Sequence, residues 1–333
     1  MLNKKFTLAG RPIGRPISDD DFDYKEEELR DLNDRELLLE NMVIEFQPAQ
    51  KGWMEQISNY VAPLEIGDVM RCSGIARVLE TKSEKFKKGD IVIGETCWQT
   101  HPILSQDKVE KVEDESMATK YLGALGGTGL TAYFGVTKIS KPKPGDTVLI
   151  TGAAGGVGSI AGQIFKIAGC KVIGIAGGKE KCDILINEFG FDGAIDYRSD
   201  DLNDSIKKLC PEGVNVLYDN VGGRILNDCL NHLAMNARVA ICGIISRHKT
   251  DNSNFGPENY SNLIFKRATM QGFIVIDYMA EAETARKQIK SWISEGKINC
   301  KEDMQEGFEN APSTLRRLFE SKNKGKQLLK ITD

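Results

Sequence analysis

TVLITGAAGGVGSIAGQIFKIAGCK, Thr147–Lys171, is the stretch from which the architecture can be read. It opens on a short apolar run, Thr147–Ile150, turns through glycines and becomes helical. In the helical part Val157, Ile160, Ala161, Ile164, Phe165 and Ala168 recur at three- and four-residue steps. A strand, a glycine turn and a helix N-terminus in that order make a phosphate cradle, because unpaired N–H groups and the helix dipole both favour an anion. The spacing is Gly152-x-x-Gly155-x-x-Gly158. A side chain at Gly155 would hold the backbone away from a pyrophosphate, and Gly158 lets the helix pack closely on its strand. A glycine string alone is a weak signal. Here a second apolar run follows, Lys171–Ile175, and strand–turn–helix–strand is the context a dinucleotide site requires.

The end of that second run bears on which dinucleotide. An NAD site usually carries an acidic residue there for the ribose 2′-hydroxyl. This chain reads Ala176-Gly-Gly-Lys-Glu-Lys181, with no carboxylate at the tip and two lysines following. That suits the 2′-phosphate of NADP(H) better than a bare hydroxyl. Glu180 dissents, but an acidic residue at a helix start normally faces solvent. The lysines also suit a plain solvated first turn.

Downstream the pattern keeps alternating. A helix near 180–189 precedes a third strand, Gly193–Tyr197, and a helix near 202–209 precedes a fourth, Val214–Asp219. A helix near 224–233 leads to a fifth strand, Ala237–Gly243, and Gln271–Asp277 is expected as a sixth. Two βαβ halves of this kind predict a parallel, doubly wound sheet. Its ligand belongs where strands end in glycines or polar residues, as at Asn220-Val-Gly-Gly223 and Cys242-Gly-Ile-Ile-Ser246.

Upstream, residues 46–125 read as short strands with frequent turns, a small barrel-like domain. Tyr60 and Trp98 stand beside polar neighbours there, and core or rim burial is the plain reading of both. After amphipathic helices at 280–296 and 308–319, Asn323–Ile331 reads as a terminal strand that returns to the first domain. At 333 residues the chain is long for one core. The expected division is 1–125 plus 298–333 against 126–297.

Composition narrows the function. A net charge of −4, with 44 basic and 48 acidic residues, gives no electrostatic reason to propose nucleic acid or an anionic membrane as partner. No apolar run approaches a membrane span, and Met1–Gly14 lacks the apolar region of a signal peptide. The eight cysteines form no CxxC pair, and none of His101, His232 and His248 pairs with one at zinc-ligand spacing. A cytoplasmic protein with reduced thiols and no metal is expected.

Several motifs together resemble the zinc-independent medium-chain dehydrogenases/reductases, in the branch of alkenal, prostaglandin and curcumin reductases. They are Gly10-Arg-Pro-Ile-Gly14, Pro48-Ala-Gln-Lys-Gly-Trp-Met54, Gly129-Leu-Thr-Ala-Tyr-Phe-Gly135, Ala153–Gly158, Gly174–Lys181, Asp219–Gly223 and Asn323-Lys-Gly-Lys326. The resemblance implies a GroES-like catalytic domain built from both chain ends around a Rossmann domain, with NADPH as cofactor. It places Gly155, Gly156, Val157 and Gly158 on the pyrophosphate and Lys181 on the 2′-phosphate. Tyr197 and Asn220 flank the adenosine side and the cofactor backbone. Cys242, with Phe273 to Val275, lines the nicotinamide end, and Asn323 reaches back from the terminal segment. The same likeness implies a homodimer formed through the sixth strand.

The implied reaction reduces a carbon–carbon double bond conjugated to a carbonyl, in an enal or enone substrate. Tyr60 matches the family's amino-domain tyrosine and would donate to the carbonyl oxygen as negative charge builds there. A second family tyrosine is replaced by His248 in Ile245-Ser-Arg-His248. His248 reads either as a pH-sensitive donor or as a loop residue, and Tyr260 is the nearest tyrosine that could take the role. Gln50-Lys51 stands where relatives commonly show Met-Arg. The same features also allow a quinone reductase, or a protein that binds NADPH without turnover.

Overall fold

The computed structural model describes residues 1–55, 61–248 and 256–331, with Arg247 and His248 described in backbone only. The chain forms two compact units, 1–122 with 302–333, and 123–301.

In the first unit β1 (Leu2–Leu8) and β2 (Phe22–Glu28) form an antiparallel hairpin. β3 (Glu36–Glu45), β4 (Gly74–Thr81), β5 (Ile91–Gly94), β6 (Ile103–Ser105) and β7 (Val109–Lys111) follow. The second unit holds β8 (Thr147–Thr151), β9 (Lys171–Ala176), β10 (Gly193–Asp196), β11 (Val214–Asp219), β12 (Leu233–Ile241) and β13 (Thr269–Gly272). The chain then completes the first unit with β14 (Glu302–Glu306) and β15 (Lys326–Lys330).

The first unit's larger sheet has the order β14-β15-β3-β4-β5-β7, with β6 also on β3. The terminal strand β15 runs antiparallel to β3, with Leu328 opposite Glu45. Leu37 and Leu39 of β3 turn inward and pack with Ala76 and Val78 of β4 and Val92 of β5, the period-two pattern of a sheet with one buried face. Trp98 is fully buried, stacked on Phe22 at 5.4 Å and tilted against Phe46 at 5.1 Å, so it is core. Gln50 and Lys51 are buried as well. Gln50 Nε2 donates to the Arg71 carbonyl at 2.9 Å, and the Lys51 ammonium lies 3.0 Å from the Glu55 carboxylate.

The second unit is a single parallel sheet with the order β10-β9-β8-β11-β12-β13. Numbered within the unit, that is the 3-2-1-4-5-6 order of a doubly wound dinucleotide fold, whose strand order reverses between β8 and β11. Leu149, Ile173, Ile175, Ile195, Leu217 and Val239 from five strands meet Ile206, Leu226 and Leu230 from the helices of one face. Helix 202–209 starts where expected because Asp201 caps it, its carboxylate accepting from Asp204 N at 2.9 Å.

The sixth strand is the main correction. The run Phe273-Ile-Val-Ile-Asp277 has strand composition, but β13 ends at Gly272 and residues 275–281 form a 3-10 turn. The reason lies in its neighbour. The last pair of the ladder is Ile241 with Gly272, and β12 ends at Ile241. Beyond it the chain has no parallel partner to supply hydrogen bonds. Among the described residues, no helix is long and apolar enough to cross a membrane.

Candidate active site

The cradle is built from the turn between β8 and the helix Gly156–Ile167. Gly152 takes φ +60, the left-handed region that favours glycine. Gly155 is the residue before the helix, in extended conformation with φ −83 and ψ 176. The first intrahelical bond runs from Ser159 N to the Gly155 carbonyl at 3.0 Å. The amides of Gly156, Val157 and Gly158 precede it and have no acceptor within the helix. A Cβ added at Gly158 would stand 2.5 Å from the Gly152 carbonyl oxygen and 2.8 Å from Ala153 Cα. Gly158 therefore sets the close approach of helix to turn, and the cradle fits a pyrophosphate: backbone donors at a helix start with no Cβ over them.

A hydrogen-bond network fixes the neighbouring loop after β11. The Thr151 hydroxyl donates to the Asp219 carboxylate at 2.5 Å and accepts from Asn220 N at 2.9 Å. Asn220 Nδ2 donates to the Thr151 carbonyl at 2.8 Å, and the amides of Val221 and Gly222 donate to Asp219 at 3.2 and 2.9 Å. Asp219 is fully buried, and burial pushes its carboxyl up to about 6 against the pull of those donors. The loop after β12 joins in, with Cys242 N donating to the Asp219 carbonyl at 2.8 Å and Ser246 N to the Val221 carbonyl at 3.0 Å. The C-terminal ends of β8, β11 and β12 thus form one connected rim at the reversal point.

At the second strand's tip, Gly177 and Gly178 lie beside the turn after β10. Asp196 Oδ1 accepts from Gly178 N at 2.7 Å and from Arg198 N at 3.0 Å. These amides hold its carboxyl below the usual carboxylate range. Lys179, exposed, pairs with Asp183 at 2.6 Å. The space beside Gly177 is shared by the ring of Tyr197 and the side chain of Arg198. Arg198 escaped the sequence reading; its only signal is a cation directly after Tyr197 at a strand end.

At the opposite end of the rim, burial pushes the Cys242 thiol up to about 12. Cys242 is therefore a neutral thiol at neutral pH. Tyr218 is fully buried and donates to the Thr131 carbonyl at 3.2 Å. Phe273 stands edge-on to it at 6.4 Å, and a Cβ at Gly135 would clash with both. Val275 packs on Leu130, Phe134, Ala282 and Ala285.

The other predicted residues are placed as follows. Tyr60 lies outside the described residues. His248 ends a short 3-10 turn, Ile245–His248. Tyr260 is 64% exposed, next to Ile264 and Phe265 at 72% and 67%. Asn323, in the first unit, is buried and donates to the Gly325 carbonyl at 3.0 Å. Among the described residues, no three His, Cys, Asp or Glu side chains converge as a metal site.

Comparison with known proteins follows the two units. A family model described as the N-terminal domain of oxidoreductase matches residues 4–112, and one described as zinc-binding dehydrogenase matches 156–291. The chain is 34% identical to the NADPH-dependent curcumin reductase of Escherichia coli strain K12, over 99% of this chain and 98% of that one. It is 36% identical to the NADP(+)-dependent 2-alkenal reductase of Nicotiana tabacum, over 89% and 88%. The crystal structure of Vibrio vulnificus CurA in complex with NADPH superposes with a TM-score of 0.93 at 33% identity, covering 99% of each chain. With its Rossmann-ordered sheet and end-to-end likeness to these reductases, the chain belongs to the medium-chain dehydrogenase/reductase family of oxidoreductases.

Proposed function

We propose that this protein is an NADPH-dependent reductase of the carbon–carbon double bond in α,β-unsaturated aldehydes and ketones. The observation that carries the reading is the pairing of a glycine cradle with a second-strand tip that bears no carboxylate and is flanked by Lys179, Lys181 and Arg198. The substrate class rests on likeness to reductases named for curcumin and 2-alkenals.

NADPH held in this cradle would supply the hydride for the β-carbon of the substrate. The chain's own residues bind and orient. Gly155, Gly156, Val157 and Gly158 present backbone to the pyrophosphate, and Lys181 and Tyr197 serve the adenosine 2′-phosphate end. Asn220, held by Thr151, lines the cofactor's middle. Cys242, Phe273 and Val275 border the nicotinamide, and Asn323 takes the cofactor role its family motif implies. Tyr60 donates a hydrogen bond to the carbonyl oxygen, stabilising charge that is absent from the ground state. A phenol with pKa near 10 does this without ionising. His248, or Tyr260, takes the place of the family's second tyrosine.

Catalysis without zinc and a cytoplasmic location belong to the same reading, as does a division into a catalytic domain of 1–125 with 298–333 and a cofactor domain of 126–297. So does a homodimer. β13 is the last strand of its sheet, and the exposed Ile264, Phe265, Ile276 and Met279 lie in the segments flanking it. A second copy pairing along that edge would cover them.

The test is NADPH consumption with a 2-alkenal, a 2-alkenone and a quinone in parallel. Saturated carbonyl products from the first two are expected. Turnover of the quinone alone would overturn the substrate class, and tight NADPH binding with no turnover would overturn the enzymatic reading.

A further inference from the structure

The tip of β9 carries more than a gap. A Cβ at Gly177 would stand 2.9 Å from Arg198 Nε and 2.9 Å from both Cε1 and Oη of Tyr197. A Cβ at Gly178 would find Arg198 Nη1 at 3.9 Å. The guanidinium lies 5.9 Å from the centroid of the Tyr197 ring, within cation–π range. Arg198 is thus exposed on one side and laid along the two glycines on the other.

Its backbone is fixed too. One oxygen of Asp196 accepts from both Gly178 N and Arg198 N, and Asp200 accepts from Asp196 N at 3.0 Å. The turn bearing the cation is therefore tied to the turn bearing the glycines. The Asp196 charge is engaged first by these amides, and Arg198 adds only a weaker charge attraction to it. Among the described residues the Arg198 guanidinium makes no ion pair, whereas the neighbouring Lys179 is held by Asp183.

The ribose of the adenosine lies at the end of the second strand in this fold. A planar guanidinium there matches a phosphate with two parallel N–H···O bonds, a geometry a lysine cannot supply. We infer that Arg198, seated on Tyr197 across Gly177 and Gly178, is a specificity-determining residue that reads the 2′-phosphate of NADP(H) and selects against NAD(H). The inference rests on the NADP(H) reading above.

The test compares 2′,5′-ADP with 5′-ADP by calorimetry, in wild type, Arg198→Ala and Arg198→Lys. Arg198→Ala is expected to weaken 2′,5′-ADP by about 10- to 100-fold, the range of one charge-assisted contact. It should leave 5′-ADP within about twofold, as one lost phosphate contact implies. Arg198→Lys is expected to recover part of the loss. In kinetics, KM for NADPH should rise while kcat and the NADH parameters hold. An equal loss for both ligands, or no loss for either, overturns the assignment while leaving the coenzyme reading intact. Equal affinity of the wild type for the two ligands overturns the coenzyme reading itself.

Discussion

Replacing Gly155 by alanine separates the cradle's binding role from its structural one. At φ −83 and ψ 176 any residue is tolerated. The added Cβ meets one atom, the Gly152 carbonyl oxygen at 3.2 Å. A few tenths of an ångström of adjustment should suffice, so the expected stability loss is below about 1 kcal/mol. That corresponds to a melting shift of at most about 2–4 °C for a unit of this size. The methyl group nonetheless stands on the residue that opens the helix, next in sequence to the amides that have no intrahelical acceptor. Displacing a pyrophosphate from one of them forfeits about 1.5–3 kcal/mol, or about 10- to 150-fold in affinity. Fluorescence titration with NADPH, alongside thermal melting, measures both quantities. If Gly155→Ala melts near wild type and binds NADPH as tightly, the amides of this turn are not the seat of the coenzyme.

Further predictions follow from single contacts. Gly162→Ala should destabilise by about 1–3 kcal/mol, because its Cβ would lie 1.9 Å from Phe191 Cζ. In an unpacked helix interior the same change stabilises by about 1 kcal/mol, so a raised melting temperature would refute the packing. Asp219 binds a proton more tightly folded, near 6, than at its ordinary 3.8. The stability this contributes is full below about pH 4 and is lost as pH rises through about 6, by up to roughly 3 kcal/mol. Asp219→Asn, followed by denaturant unfolding across that range, should abolish this slope; an unchanged slope would assign it elsewhere. Tyr60→Phe should lower kcat by about 10- to 100-fold, as loss of a transition-state donor does, with NADPH affinity unchanged. Unchanged kcat would make Tyr60 a packing residue.

The cofactor unit was legible because its signals are local. Thr147–Thr151 is an apolar run bounded by Gly152, and the strand and helix patterns keep alternating after it. The sixth strand was misplaced because Phe273–Asp277 has strand composition, while what ends β13 is the end of its neighbour at Ile241. Arg198 was not legible for a related reason. Only the parallel register that sets Ala176 beside Asp196 brings it to the glycines. The Thr151–Asp219 network joins two strands that are adjacent in space and distant in sequence. Tyr60 and His248 carry no local signal for their roles, and only their motif context in the family resemblance marks them.

Reduction of a 2-alkenal with NADPH deuterated at the transferable position of the nicotinamide tests the central claim most directly. A saturated aldehyde carrying deuterium on its former β-carbon is the predicted product. An allylic alcohol labelled at the carbonyl carbon, or an unreacted alkene beside unoxidised NADPH, would contradict it.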